Sequence, residues 1–151
     1  MSSYKPQTLS HRPYAGDLDI YSAWSLLGDN GAAVLVDVRS DVEWQLIGKP
    51  DLASIDKVPI FLELVTVKGA NPSFINDLVA ELELRAVAKD DPILFLCRSG
   101  GRSRLAATEC AAQGYSQCFN INEGFEGRLD SNQHRNSIDG WKVAGLPWVQ
   151  S

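Results

Sequence analysis

The stretch LFLCRSGGRSRLAA, residues 94–107, places one cysteine between an apolar run and a segment rich in glycine, serine and arginine. The apolar residues 92–97 predict a strand buried on both faces. Residues 103–114 predict a helix of small residues that ends at Gly114. Cys97 is therefore expected at the carboxyl end of a buried strand, directly before a turn that leads into a helix.

The rest of the chain alternates strands with helices in the same way. Asn71 is expected to cap the helix predicted at 71–87, with Pro72 in its first turn. The alternation predicts an α/β fold with a parallel sheet and helices on both faces. Residues 1–16 are predicted to form an N-terminal arm and residues 17–151 a single domain. Further strands are expected at 33–38, 57–61 and 117–121, and helices at 19–27, 40–48 and 71–87.

Composition restricts the classes of partner that we expect. No apolar stretch approaches the ~20 residues needed to span a bilayer, and the N-terminus has no apolar core typical of a secretion signal. The sequence therefore predicts a cytoplasmic protein that does not bind membranes. The net charge of −5 argues against nucleic acid, so the basic residues after Cys97 indicate a small anion as ligand.

The three cysteines of the chain favour free thiols over a disulfide framework. They lack the spacing of a zinc site, so neither a metal nor a cofactor is predicted. Cys110 lies roughly 10 Å along the predicted helix from its start, beyond the ~7 Å limit for bridged Cα atoms. Cys118 begins a strand at the opposite edge of the sheet from Cys97. Cys110 and Cys118 are predicted to pack in the core.

The loop after Cys97 is the candidate site. Parallel sheets collect ligands at the carboxyl ends of their strands. Gly100 and Gly101 allow a positive φ, so that several N–H groups of the turn and of the helix N-terminus converge on one spot. A thiol held there loses its proton more readily. Cys97 is the predicted nucleophile, and Arg98 and Arg102 are predicted to hold the anionic part of a substrate.

Two other features lie at the same predicted edge. Asp37 and Arg39 end the strand at 33–38. Arg39 could extend the positive charge around the cysteine loop. We favour the structural alternative, in which Arg39 pairs with Glu43 and Asp37 caps a turn. Phe125 either lines the pocket or packs in the core.

Three segments of the chain resemble a known family: LVDVRSDVEW (35–44), ILFLCRSGGRS (93–103) and GWKVAGLPW (140–148). They are similar to single-domain rhodaneses, which are thiosulfate-type sulfurtransferases, and the likeness runs from about Asp17 to Trp148. The resemblance implies a rhodanese-like three-layer fold, with a five-stranded, mostly parallel sheet between helices. The chain departs from the family at residues 48–50, where many members have Gly-His-Ile and this chain has Gly-Lys-Pro.

The resemblance also implies an activity. Cys97 would take a sulfane sulfur from a small anionic donor such as thiosulfate, form a persulfide, and pass the sulfur to cyanide or to a thiol, including a thiol of a protein. In this interpretation Cys97 is the catalytic nucleophile. The persulfide would be cradled by the loop that follows, namely Arg98, Ser99, Gly100, Gly101, Arg102 and Ser103.

Two alternatives stay open. A cysteine-dependent phosphatase or arsenate reductase would use a similar loop, but with Cys-x5-Arg spacing. Here Cys97 and Arg102 form a Cys-x4-Arg loop, whose smaller ring of amides fits a lone sulfur better than a phosphoryl group. A non-catalytic rhodanese-like binding module is the second alternative, although such modules usually lack the cysteine.

Overall fold

The computed structural model describes residues 13–150 of the chain. The helices are α1 (Ile20–Asp29), α2 (Asp41–Leu46), α3 (Phe74–Leu84) and α4 (Gly101–Ala111), with a short 3-10 helix at Ala53–Ile55. The strands are β1 (Gly16–Leu18), β2 (Val34–Asp37), β3 (Lys49–Pro50), β4 (Ile60–Phe61), β5 (Val65–Thr66), β6 (Gly69–Ala70), β7 (Pro92–Leu96), β8 (Gln117–Ile121) and β9 (Trp148–Val149).

Five of these strands form one sheet in the order β1-β8-β7-β2-β4. Every pair of neighbours in this sheet is parallel. The central strand β7 is buried along its whole length, as expected for a strand covered on both faces. The predicted α/β fold with a five-stranded parallel sheet is thus confirmed.

Alternate residues of β7 face two different layers of the core. Ile93, Phe95 and Cys97 pack in the cluster that contains the apolar faces of α3 and α4. Leu94 and Leu96 pack in the cluster that contains the buried face of α1. The period of two along a strand therefore aims Cys97 towards α4, whose first turn follows it in the chain.

The helix α3 begins later than the sequence predicts. Its N-cap position is Ser73, whose side chain makes no capping hydrogen bond. Asn71 instead stabilises the preceding turn, where its Oδ1 accepts from the Ser73 amide at 3.1 Å and its Nδ2 donates to the Glu63 carbonyl at 2.9 Å. The prediction that Asn71 caps this helix is wrong, because its side chain is used by the turn.

Short strands account for the other differences. Of residues 57–61, Ile60–Phe61 form the strand β4. The segment that departs from the rhodanese pattern forms β3, which pairs antiparallel with β9 and so ties residues 49–50 to the C-terminal segment. Strands of two or three residues are too short to show a period of two in the sequence.

The ends of the chain bear on two further predictions. Of the predicted arm, residues 1–12 lie outside the described residues, and Gly16 is the first residue of β1, in register with Phe119. Within residues 13–150, no helix combines the length and apolarity needed to cross a membrane.

Candidate active site

The Cys97 sulfur lies at the carboxyl end of the central strand, directly after Leu96. Cys97 is 1% exposed. The Gly100 amide donates to Sγ at 3.1 Å, and the Ser103 hydroxyl also lies 3.1 Å from Sγ. The sequence predicted that several amides would converge on the sulfur. Among the described residues, the Gly100 N–H is the amide that donates to it.

Gly100 supplies the turn that the loop requires. Its φ is +106°, and a Cβ atom built there would lie 2.4 Å from the Asn122 carbonyl oxygen. Any other residue would be strained and would collide with backbone at this position. Gly101, by contrast, is the first residue of α4 and is not among the glycines with positive φ. The turn therefore depends on one glycine of the pair.

The loop that contains Phe125 holds the cysteine loop in place through backbone hydrogen bonds, a role that the sequence did not predict. The Phe125 amide donates to the Cys97 carbonyl at 2.8 Å, and the amides of Glu126 and Gly127 donate to the Arg98 carbonyl at 3.0 and 3.2 Å. We call residues 122–127 the clamp loop. The sequence NEGFEG after a strand predicted Phe125 at this edge, but not the hydrogen bonds to the cysteine loop.

Arg102 is bound to a carboxylate of α2. Its Nη1 and Nη2 donate to the two carboxylate oxygens of Glu43 at 2.6 and 2.9 Å, a forked pair. Burial alone would raise the pKa of Glu43, but the hydrogen bonds from Arg102 and the Ser40 amide, with the charge of Arg102, outweigh burial and lower that pKa to about 2. Glu43 also completes a capping box with Ser40.

Arg39 has a different partner from the one predicted. Its Nε and Nη2 donate to Asp37 at 3.0 and 2.7 Å, and Nη2 also donates to the Gly48 carbonyl at 2.9 Å. The guanidinium carbon lies 4.1 Å from the centre of the Phe125 ring, and both side chains are fully buried. The predicted Arg39–Glu43 pair is wrong. Arg39 and Phe125 instead join the end of β2 to the clamp loop.

A cavity of about 380 Å³ lies beside the loop. Arg98 and Arg102 both line it, so the structure brings the two predicted anion ligands to one cavity, while Ser99 lines a different one. The cavity also contains a third arginine, Arg135, which sequence reasoning did not single out. It is lined by Glu43, Ile47, Arg98, Arg102, Glu126 and Arg135.

Ser103 connects the sulfur to the edge of the sheet through buried polar groups. The Ser103 hydroxyl donates to Asn120 Oδ1 at 2.5 Å, and Asn120 Nδ2 donates to Asp17 Oδ1 at 3.0 Å. Ser103 and Asn120 are fully buried. Asn120 was not a sequence candidate, because a lone asparagine inside a strand carries no local sign of a partner on another strand.

The other two cysteines lie in the core, Cys110 on α4 and Cys118 on β8. Cys110 and Cys118 are fully buried, and Cys118 is in register with Ile93, four residues before Cys97. A hydrogen bond with Cys110 and burial raise the pKa of Cys118 well above its ordinary value. Across residues 13–150, no group of three His, Cys, Asp or Glu side chains is placed to hold a metal ion.

The Glu43→Gln variant is expected to be less stable than the wild type, but only above acidic pH. The folded-state pKa of Glu43 is about 2, below the ordinary 4.5. The carboxylate therefore stabilises the fold fully above pH 4.5, and this contribution is lost as the pH falls towards 2. The difference corresponds to at most about 3 kcal/mol in the free energy of unfolding, measured by urea denaturation at a series of pH values.

The matched control for this change is Glu81→Gln. Glu81 pairs with Arg85 at i,i+4, with both side chains about one-third exposed, so we expect its loss to change stability by less than about 0.5 kcal/mol. An effect of Glu43→Gln that stays constant down to the lowest pH would contradict the role of the ionised Glu43–Arg102 pair.

Comparison with known proteins adds a family and a set of structural neighbours. Residues 16–151 match the family model described as the STR4 middle domain. The uncharacterized protein RP600 of Rickettsia prowazekii is 41% identical over 126 residues, which are 83% of this chain and 90% of that protein. The crystal structure of Rv0390 from M. tuberculosis has 42% identity and a TM-score of 0.77, covering 91% of this chain and 99% of that one.

Two more distant solved structures share the fold. The polysulfide-sulfur transferase homodimer from Wolinella succinogenes has a TM-score of 0.57 and 21% identity, over 92% of this chain and 80% of that one. The rhodanese-like domain of the Anabaena protein Alr3790 has a TM-score of 0.53 and 18% identity, over 89% and 79%. At these identities the likeness shows the fold alone, which is rhodanese-like.

Proposed function

Because the chain belongs to the STR4 middle domain family and has a rhodanese-like fold, we propose that it is a sulfurtransferase. It moves a sulfane sulfur from an anionic donor such as thiosulfate to cyanide or a thiol, through a persulfide on Cys97. The polysulfide-sulfur transferase among its structural neighbours supports this class of reaction.

The observation that carries the proposal is the setting of the Cys97 sulfur. It lies at the edge of the sheet where parallel folds place their ligands, with the Gly100 amide directed at it from 3.1 Å. An N–H group in this position stabilises a sulfur anion more than a neutral thiol. The hydrogen bond is made to Sγ, the atom that would carry the transferred sulfur.

The first half-reaction forms the persulfide. The Cys97 thiolate attacks the outer sulfur of thiosulfate and forms a new sulfur–sulfur bond. The bond between the outer and inner sulfur breaks, and sulfite leaves with its electron pair. The charge balances, because one thiolate and one thiosulfate dianion give one persulfide anion and one sulfite dianion.

The second half-reaction returns the enzyme to its first state. Cyanide attacks the outer sulfur of the persulfide, the persulfide bond breaks, and thiocyanate leaves while Cys97 regains a thiolate. A thiol acceptor follows the same course after losing its own proton.

The charges of the neighbouring cavity fit an anionic donor. Three arginines and two glutamates line it, which leaves one excess positive charge. Because Glu43 binds both terminal nitrogens of Arg102, we assign the contact with the donor anion chiefly to Arg98. That side chain is exposed at the cavity and free of a carboxylate partner among the described residues.

The proposal is tested by the intact mass of the protein after incubation with thiosulfate. We expect a gain of one sulfur atom, removed by cyanide, and peptide mapping should place it on the peptide that contains Cys97. A sulfur found on Cys110 or Cys118, or no gain at all, would contradict the proposal.

A non-catalytic rhodanese-like binding module is the second candidate, and one observation favours it. The Cys97 residue is only 1% exposed and Arg102 is held by Glu43, so both groups are engaged in the folded state. Absence of mass gain from thiosulfate and from a persulfide donor, in protein that remains folded, would support this candidate. A gain of phosphate from an aryl phosphate would instead indicate a phosphatase.

A further inference from the structure

The cavity beside the cysteine loop contains a carboxylate that the fold leaves without a partner. Glu126 lines this cavity and is 8% exposed. In the part of the chain that the structure describes, its carboxylate accepts no hydrogen bond and forms no ion pair. Lys142 is near enough for the two charges to interact, but its ammonium donates to the Ile47 carbonyl at 2.8 Å. A carboxylate mostly removed from water is unfavourable without a donor, so Glu126 is suited to a cationic ligand.

Arg135 is fixed beside Glu126 by hydrogen bonds to the clamp loop. Its Nη1 donates to the Gly127 carbonyl at 2.7 Å, and the amide of the next residue, Asn136, donates to the Glu126 carbonyl at 2.9 Å. No carboxylate pairs with Arg135 among the residues that the structure places. A guanidinium carries five N–H groups, so Arg135 retains donors for an anionic ligand.

The segment that carries Arg135 is ordered by one aspartate. Asp130 accepts from the Asn132 amide at 2.8 Å, from the His134 amide at 2.9 Å and from the Ser137 hydroxyl at 2.6 Å. A segment that is already ordered loses little conformational freedom when a ligand binds. Arg135 is therefore a preorganised part of the cavity.

The charges left over in the cavity are one cation and one anion. Arg102 and Glu43 pair with each other, and Arg98 is assigned to the sulfur donor. Arg135 and Glu126 remain, so a ligand with one carboxylate and one ammonium group would match both. The cavity volume of about 380 Å³ lies in the range of small-molecule sites, which is ample for an amino acid.

We propose that Glu126 and Arg135 are specificity-determining residues that select, as sulfur acceptor, a small thiol carrying both an ammonium and a carboxylate group, such as cysteine. Glu126 accepts from the ammonium group, and Arg135 donates to the carboxylate. The inference rests on the proposed function, because it names the acceptor of the second half-reaction.

The transfer to such a thiol balances in the same way as the transfer to cyanide. The acceptor loses its thiol proton to solvent, and its thiolate attacks the outer sulfur of the Cys97 persulfide. A bond forms between the two sulfurs, the bond to Sγ breaks, and its electron pair returns to Cys97. One thiolate and one enzyme persulfide give one acceptor persulfide and one enzyme thiolate.

The test uses three thiols that differ by one charged group each. Cysteine carries both groups, 3-mercaptopropionate lacks the ammonium group, and cysteamine lacks the carboxylate. The protein is loaded with sulfur from thiosulfate, freed of excess donor and mixed with each thiol, and the loss of the bound sulfur is followed by intact mass. Each rate constant of a variant is divided by that of the wild type with the same thiol, which cancels the intrinsic reactivity of the thiol.

The two variants should show opposite patterns. Glu126→Gln should lower the rate about tenfold with cysteine and with cysteamine, and not with 3-mercaptopropionate. Arg135→Gln should lower it about tenfold with cysteine and with 3-mercaptopropionate, and not with cysteamine. The control is Arg128→Gln, since Arg128 belongs to the same segment but pairs with Asp139 at 3.2 Å and lines a different cavity. It should leave all three rates unchanged.

Equal slowing of all three thiols by either variant would overturn the proposal, because it would mean that the residue shapes the loop without contacting the acceptor. Unchanged rates in both variants would overturn it as well. Should Glu126→Gln fail to fold, the pattern of Arg135→Gln decides. A wild-type protein that takes up no sulfur in the loading step overturns the proposed function and this inference with it, whereas normal loading followed by the wrong pattern overturns this inference alone.

Discussion

The Cys97→Ser variant is expected to take up no sulfur from thiosulfate and to form thiocyanate at the rate of the uncatalysed reaction. A serine side chain is similar in size and can still accept from the Gly100 amide, so the fold should be preserved. Its hydroxyl, however, remains protonated at neutral pH and cannot form the persulfide bond. We expect turnover of thiosulfate and cyanide to fall by more than about 1,000-fold, as is usual when a nucleophile is removed.

The control for this prediction is Cys110→Ala. Cys110 is a buried thiol on α4, in the same core cluster as Cys97, but it lies away from the edge of the sheet. Its removal should lower stability slightly and leave sulfur uptake per folded molecule unchanged. Turnover that survives in Cys97→Ser, or that disappears in folded Cys110→Ala, would show that another cysteine carries the sulfur.

The part of the site that the sequence predicts is the part built from neighbouring residues. A fully apolar run predicts β7, because a central parallel strand is buried on both faces. The glycine after it predicts a tight turn, which the positive φ of Gly100 confirms. Cys97 at the strand end follows directly, since strand, turn and helix are continuous in the chain.

The interactions that sequence analysis could not predict join distant parts of the chain. Glu43 and Arg102 are 59 residues apart, and Asp17 and Asn120 are 103 residues apart. Spacing rules apply within one helix or strand and hold no information on which charges meet across the sheet. The rule assigned Glu43 to the nearer Arg39, whose side chain instead turns back to the end of β2.

The contact between the clamp loop and the cysteine loop also joins distant parts of the chain. Its disruption is the second change from which we expect a large effect. Gly124→Ala is expected to destabilise the protein severely. A Cβ atom at Gly124 would lie 2.4 Å from the Arg98 carbonyl oxygen and 2.6 Å from the Ser99 nitrogen. Both are backbone atoms of the cysteine loop, so no side-chain rotation relieves the collision.

Gly145→Ala separates this collision from ordinary backbone strain. The two glycines have nearly the same φ, +76° and +78°, but a Cβ atom at Gly145 meets nothing within 4 Å. A left-handed alanine costs about 1 kcal/mol at either position, and overpacking adds roughly 1–3 kcal/mol at Gly124. Urea denaturation should therefore show a loss of about 1 kcal/mol for Gly145→Ala and a clearly larger loss for Gly124→Ala. Equal losses would contradict a close approach of the two loops.

The rate of sulfur uptake tests whether the close approach of the clamp loop to the cysteine loop positions Cys97. If the clamp loop fixes the position of Cys97, then Gly124→Ala molecules that still fold should form the persulfide more slowly, because the collision displaces the Cys97–Arg98 backbone. Gly145→Ala should form it at the wild-type rate, since its strain lies elsewhere. The rates of the two variants are compared at a temperature where both are folded, so that a difference in stability does not affect the result. Unimpaired uptake by folded Gly124→Ala would mean that the clamp loop stabilises the fold without positioning the thiol.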